Sequence, residues 1–231
     1  IILDIGDDNM EFVELTDKEF EKFVQNHEQA SYMQSLDLKK FKENNNIKCY
    51  IVGVKDKNKV VAATLMYSIG TFMKKKRFYS SRGFIIDYNN MELLTFFVDK
   101  IKEYIKKNNG MSLTIDPNII YRTRSSNGEI IDDNANDKVI DNLKKLGFTH
   151  FGFNNYFEDM KPRWNAILEL NSSNDEIYKS FDKQIRNKIS KAERYGVELK
   201  EANDKDDINT FFEFIKRKHD RSFKYYQKLL K

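Results

Sequence analysis

Four short clusters in this sequence carry side chains able to bind or transform a ligand. The first is Lys39-Lys40-Phe41-Lys42, which follows Tyr32-Met33-Gln34. Its lysines could hold a phosphate as compact point charges, or they could simply form the solvated face of a helix. The second is Phe78-Tyr79-Ser80-Ser81-Arg82-Gly83. Glycine there would let a ligand approach the backbone closely, and the same glycine would also suit a plain strand-to-loop turn. In the third, Thr114-Ile115-Asp116-Pro117, an acid stands where a strand should end. Asp116 could face a cleft, or it could bond the backbone of its own turn. The fourth is Arg221-Ser222-Phe223-Lys224-Tyr225-Tyr226, at the start of a short helical pattern. Arginine beside helix amides can hold an anion, and ordinary capping is the alternative.

Familiar catalytic signatures do not occur. No P-loop, dinucleotide-binding G-x-G-x-x-G, H-E-x-x-H or G-x-S-x-G is present. His27, His150 and His219 lie in unrelated contexts without metal-ligand spacing. Cys49 is the only cysteine, so a disulfide framework and a multi-cysteine metal site are both excluded. Its strand neighbours Tyr50 and Ile51 suggest a buried thiol, not a nucleophile.

Several elements must position these clusters. A strand is expected at 12–15, and Thr16-Asp17-Lys18-Glu19 has the form of a capping box that opens a helix. A second short helix is expected at 35–43, followed by a hairpin of strands 49–54 and 60–69. Strand 77–81 leads to a break at Arg82-Gly83, and extended chain resumes at 84–86. The clearest helix is 91–107, where Leu94, Phe97, Val98, Ile101, Tyr104 and Ile105 recur at three- and four-residue steps. Strand 112–115, a long loop at 121–136, helix 137–146 and strand 148–153 follow. After Pro162 the pattern restarts with strand 164–170, one long helix 174–195, strand 197–200 and helices 207–218 and 223–230. A last helix with no sheet after it leaves this second unit without a full core, so the sequence is expected to be part of a longer protein.

The chain has 231 residues, 40 basic and 36 acidic, for a net charge of +4. Lysine outnumbers arginine 31 to 9, a bias that suggests an AT-rich genome. The charge is unevenly placed. Residues 161–231 hold 17 basic and 12 acidic side chains, against 23 and 24 in the first 160. An excess on one segment favours an anionic partner such as phosphate or nucleic acid, although a solvated helix surface would also account for it.

Taken together, these residues resemble the Fem family of bacterial aminoacyltransferases, the FemA/FemX/MurM group. The most specific stretch runs from Phe78 through Arg82-Gly83 to Asp87-Tyr88 and is similar to the family's Y-x-x-R-G-P-x-x-D segment. It is joined by Leu113-Thr114-Ile115-Asp116-Pro117 and Leu146-Gly147-Phe148. The stretch from Arg186 to Val197 is similar to the family's R-x-x-x-x-K-A-x-x-x-G-V helix end. Phe84 departs from the pattern, where the family commonly has proline.

The resemblance implies an α+β protein built of tandem acetyltransferase-like domains with mixed central sheets. The first would span 1–157, and 158–231 would begin an incomplete second. It implies a tRNA-dependent aminoacyltransferase acting in peptidoglycan bridge synthesis. Glycine, alanine or serine would pass from aminoacyl-tRNA to the peptide of lipid II or of UDP-MurNAc-pentapeptide, with no cofactor or metal. By the same resemblance, Lys42 or its neighbour Lys40 would bind precursor phosphate. Arg82 would bind substrate, Arg221 and Tyr225 would contact the diphosphate, and Asp116 would lie near the cleft as the candidate catalytic residue. Lys179, Lys183, Arg186 and Lys191, on the expected long helix, are candidates for tRNA contact. A cytoplasmic bacterial enzyme in peripheral contact with the inner membrane face is expected. A small-molecule acyltransferase on the same fold, and a non-catalytic module binding precursor or nucleic acid, remain as alternatives.

Overall fold

The computed structural model describes residues 10–72, 75–132, 136–153, 165–218 and 221–229. The chain divides into two compact units, Ile1–His150 and Phe151–Lys231. The boundary expected after residue 157 falls outside the described residues.

In the first unit a mixed five-stranded sheet runs in sequence order: β1 (Met10–Glu14), β2 (Cys49–Asp56), β3 (Lys59–Phe72), β4 (Lys75–Arg82) and β5 (Gly110–Pro117). The first four are antiparallel neighbours, while β4 and β5 are parallel. A parallel pair needs a crossover, which is supplied by helix α3 (Met91–Lys107). The side chain of Asn90 caps α3 by accepting from Leu93 N. The helix buries Leu94, Phe97, Val98 and Ile101 against Tyr50, Val52, Met66, Phe78 and Phe84 on one face of the sheet. Phe84, the residue that departs from the family pattern, is a core residue whose ring centroid lies 5.1 Å from that of Phe97.

The other face is covered by α1 (Asp17–Val24) and α2 (Leu36–Asn44), whose Phe20, Val24 and Leu38 pack on Ala63, Leu65, Tyr67 and Ile85. The capping box at Thr16 forms as its sequence predicts. Thr16 N donates to Glu19 Oε2 at 2.9 Å, and Glu19 N donates to Thr16 Oγ1 at 3.3 Å. Lys55 Nζ meets Glu19 at 2.7 Å and so ties β2 to the first turn of α1. That contact, together with Thr16, holds the Glu19 carboxyl down at about 2.

The sheet has a gap in its middle. Pairing of β3 with β4 stops at Tyr67 opposite Tyr79, leaving Leu65 and Ser81 without a partner across that seam. Gln34, at the end of the 3-10 turn Tyr32–Gln34 and wholly buried, fills the gap with its amide. Its Oε1 accepts from Leu65 N at 2.8 Å, and its Nε2 donates to Leu65 O at 3.1 Å and Ser81 O at 2.7 Å. Gln29 does the same for Ile86, accepting from its N–H at 3.1 Å and donating to its carbonyl at 3.0 Å. Each amide thus satisfies main-chain groups that would be costly to bury alone.

Several expected elements differ. The loop 121–136 contains a small hairpin, β6 (Thr123–Arg124) and β7 (Ile130–Asp132), turned at Asn127-Gly128. Segment 148–153 forms no strand. In the second unit the single helix expected at 174–195 is two, α5 (Asn174–Ser180) and α6 (Lys183–Arg194). Phe181 is extended there, and the Asp182 side chain accepts from Ile185 N, so Asp182 starts a new helix instead of continuing the old one. Helices α7 (Lys205–Ile215) and α8 (Phe223–Leu229) follow, joined through Phe211 and Phe212 against Phe223 and Tyr226. Among the described residues of this unit no strand forms, so 165–170 and 197–200 lack a ladder; Leu170 and Leu199 are exposed. Strand-like alternation needs a paired neighbour to become a strand.

Replacing Gln34 with leucine would keep the volume and orphan Leu65 N–H, Leu65 C=O and Ser81 C=O. A loss of about 2–4 kcal/mol is expected, read as a lower denaturation midpoint with unchanged slope. The exposed control Gln25→Leu should move stability by less than about 0.5 kcal/mol.

Candidate functional site

Strands β4 and β5 end together, with Ser81 beside Asp116 and Arg82 beside Pro117. Arg82 sits in the left-handed region at φ 56°, uncommon for a residue with a Cβ. Its amide donates to Asp116 Oδ1 at 2.7 Å, which holds the turn in that shape. Asp116 therefore bonds the neighbouring strand's turn, not the backbone of its own. Its other oxygen, Oδ2, and Ser81 Oγ are buried beside the Tyr67 and Tyr79 phenols, without a hydrogen bond of ordinary geometry among the described residues.

Tyr67 and Tyr79 lie opposite each other across β3 and β4, with ring centroids 5.7 Å apart in an edge-on contact. Burial pushes the Tyr67 phenol up to about 12, partly offset by the adjacent Ser81 hydroxyl and reinforced by the charge of Asp116. The Tyr79 phenol is raised for the same reasons, burial foremost. Both stay protonated at neutral pH and are donors. From α2, Lys42 places its ammonium over the Tyr67 ring at 4.2 Å from the centroid, a cation–π contact.

Of the residues singled out from sequence, Lys42, Arg82 and Asp116 are thus linked through Tyr67, Tyr79 and Ser81 on the side of the sheet that α2 covers. Lys40 is not part of this group. It is exposed and lines a shallow depression with Asp17, Asp37, Lys39 and Glu43, where Lys39 pairs with Asp17 at 2.7 Å. Gly83 faces no ligand space. A Cβ there would overlap Ser80 Oγ and would stand 3.0 Å from both Gln34 Nε2 and Thr64 Oγ1. The glycine permits close approach to the buried polar network, where Thr64 and Ser80 hydroxyls meet at 2.6 Å. Cys49 is buried, and burial pushes its thiol up to about 11, so it is no nucleophile at neutral pH. Burial lowers the His27 pKa.

In the second unit, the Arg221 guanidinium lies over the Tyr225 ring at 4.6 Å, and Tyr225 N donates to Ser222 O at 3.0 Å. The pair is stacked where α8 begins. Lys179 and Lys183 are exposed, and the Lys191 ammonium lies 5.7 Å from the Tyr195 ring centroid. Arg186 plays a structural part. Its guanidinium donates to the carbonyls of Lys179, at 3.0 Å, and Phe181, closing the break between α5 and α6. On α6, Lys183, Arg186, Lys191 and Arg194 share one side, opposite Ile185, Ile189 and Ala192. Among the described residues no cluster of three or more His, Cys, Asp or Glu side chains could hold a metal.

Sequence reasoning missed Tyr67 and gave no role of their own to Tyr79 and Gln34. Tyrosines in a strand read as packing residues, and a glutamine in a helical turn reads as solvent-facing.

The chain matches the FemAB family profile over residues 15–231. It is 31% identical to the aminoacyltransferase FemA of Staphylococcus aureus strain bovine RF122 / ET3-1 and to that of strain MRSA252, over 96% of this chain and 55% of theirs. It therefore spans about half the length of the curated relatives it matches. A crystal structure of FemX superposes with a TM-score of 0.76 at 23% identity, covering 95% of this chain and 54% of that one, a likeness of fold.

Two outcomes follow from the paired phenols and the Asp116 bond. Because the folded Tyr67 and Tyr79 phenols titrate above their unfolded values, the folded state holds their protons longer. Their contribution is intact below pH 10 and is lost as pH rises above it, for Tyr67 toward about 12. Alkaline unfolding curves should show this fall, and Tyr67→Phe should flatten it. Asp116→Asn keeps an acceptor for Arg82 N–H and should stay folded, whereas Asp116→Ala should lose about 1–3 kcal/mol by denaturant titration.

Proposed function

The chain belongs to the FemAB family, and on that premise we propose that the protein transfers an amino acid from aminoacyl-tRNA to the peptide of a peptidoglycan precursor. The observation that carries this reading is the 31% identity to FemA aminoacyltransferases over 96% of the chain, joined to the link between Lys42, Arg82 and Asp116 through Tyr67, Tyr79 and Ser81. The tandem arrangement of acetyltransferase-like domains belongs to the same proposal.

The reaction joins a neutral acceptor amine to the carbonyl of an activated ester. A nitrogen–carbon bond forms, the carbon–oxygen bond to tRNA breaks, and the amine proton passes to the departing hydroxyl. The ester already stores the driving force, so neither ATP nor a metal is required. The enzyme has to align amine and ester and to stabilise the developing oxyanion. Protonated phenols at Tyr67 and Tyr79 are suitable donors, and Lys42 on the Tyr67 ring is a preset cation for a precursor phosphate. In the second unit Arg221, stacked on Tyr225, offers a planar cation suited to a diphosphate, and in the first Lys40 is a weaker alternative to Lys42. Asp116 is assigned a positioning role, because Oδ1 is committed to Arg82 N–H and Oδ2 is buried. The exposed basic side of α6 and Lys179 is assigned to tRNA, with salt-sensitive binding.

The full natural protein, given Gly-, Ala- or Ser-tRNA with lipid II or UDP-MurNAc-pentapeptide, should form a new peptide bond with at least one pair. No transfer with any pair would overturn the reading. Lys42→Ala and Arg221→Ala should each raise the KM for precursor by about tenfold or more, with less effect on the tRNA. Asp116→Asn should retain most of kcat while Asp116→Ala does not. A general base would instead lose about 100- to 10,000-fold in both variants. Charge reversal at Lys179, Lys183 and Lys191 should weaken tRNA use alone.

A further inference from the structure

Where β4 and β5 begin, at the end of that strand pair remote from Arg82 and Asp116, three separate stretches meet. The start of β4 pairs with the start of β5, where Lys76 faces Gly110 and Lys76 N donates to Asn109 O at 2.9 Å. The chain entering β2 joins them, with Ser68 N donating to Lys48 O at 3.4 Å. The described residues among 45–50, 68–72, 75–78 and 104–111 hold six basic side chains and no Asp or Glu of their own, while Glu14 on β1 accepts from Tyr104 OH at 2.6 Å. The first 160 residues as a whole hold 23 basic and 24 acidic side chains, so these stretches are locally enriched in positive charge. Lys48, Lys75, Arg77, Lys106 and Lys107 are exposed. The ammonium groups of Lys48 and Lys76 flank the one ring of Tyr50 at 5.0 and 5.7 Å, and Lys76 Nζ donates to Tyr50 OH at 3.0 Å. Among these cations two large apolar side chains stand in solvent, Ile69 at 45% and Met111 at 52% exposure. A favourable helix dipole would account for Lys106 and Lys107 at the end of α3 but not for Lys48 or the lysines of β4.

We propose that this end of the sheet is a docking face for an anionic lipid surface. Lysines fit headgroup phosphates as snorkelling point charges, and the two exposed apolar side chains fit the boundary between headgroups and acyl chains. RNA would favour arginine forks and exposed aromatic platforms. Here five of the six described basic residues are lysine, and Tyr50 is buried. No helix among the described residues is long and apolar enough to cross a membrane, so contact through this face would be at the surface. The proposal does not rest on the transfer reaction, since lipid binding is measured without it.

The test is co-sedimentation of the full natural protein with vesicles of phosphatidylcholine alone or with phosphatidylglycerol. Binding should require the anionic lipid and should weaken in high salt. The double reversal Lys75→Glu with Lys106→Glu should reduce it by about tenfold or more. Met111→Ser should reduce it severalfold with the charge intact, and unchanged thermal unfolding should show that both variants are folded. Equal binding to neutral vesicles, or full binding by the double variant, would overturn the proposal. So would a double variant that loses tRNA binding while vesicle binding persists, since the face would then belong to RNA.

Discussion

The fold of the first unit depends on a constraint met in an unusual place: buried main-chain groups must find partners where two strands part. β3 and β4 separate beyond Tyr67 and Tyr79, in the middle of the core. Water cannot reach Leu65 or Ser81, so the partners come from the side-chain amide of Gln34, and Gln29 repeats the device at Ile86. A primary amide suits this position because it carries a donor and an acceptor at one end, as a peptide group does.

The opening gives the chain after β4 its course. Ser80 turns inward to Thr64, Gly83 passes where no Cβ fits, and Phe84 drops into the core against Phe97. Arg82 is left in a left-handed conformation that Asp116 secures from the neighbouring strand. The side chains of the candidate site therefore stand on the two strand ends next to the gap, with Lys42 brought over from α2. The residues with chemistry on them and the residues that keep the sheet open are neighbours, so substitutions of one kind will disturb the other.

Local patterns are readable in the sequence and long-range ones are not. Helix α3 declares itself by the spacing from Leu94 to Ile105, and the Thr16 box by two residues three apart. The Ser173–Glu176 box and the Asn127-Gly128 turn carry the same kind of short-range signal, masked by the longer patterns around them. Asp182 hides inside an expected long helix because the apolar spacing of Ile177, Phe181 and Ile185 continues across it. Segment 197–200 alternates like a strand, but alternation is local and a ladder is not. At the site, family likeness points to Lys42, Arg82 and Asp116, but nothing in the sequence shows that Asp116 reaches an amide 34 residues away or that Gln34 bonds one 31 away. Such partners become apparent only when the chain is folded.

The side-chain partners of Leu65 and Ile86 also set a clock. An amide hydrogen in a ladder exchanges with solvent when strands separate, but these two are held by a short turn and the loop before it. Their exchange therefore reports how often segment 29–34 lifts away from the sheet. Local opening of that segment, cheaper than unfolding the core, would unlock two central-sheet hydrogens while those of Val52 and Val54 stay protected. The interior of the first unit is thus less uniform in lifetime than in packing, and its soft point lies at the gap beside Tyr67 and Tyr79.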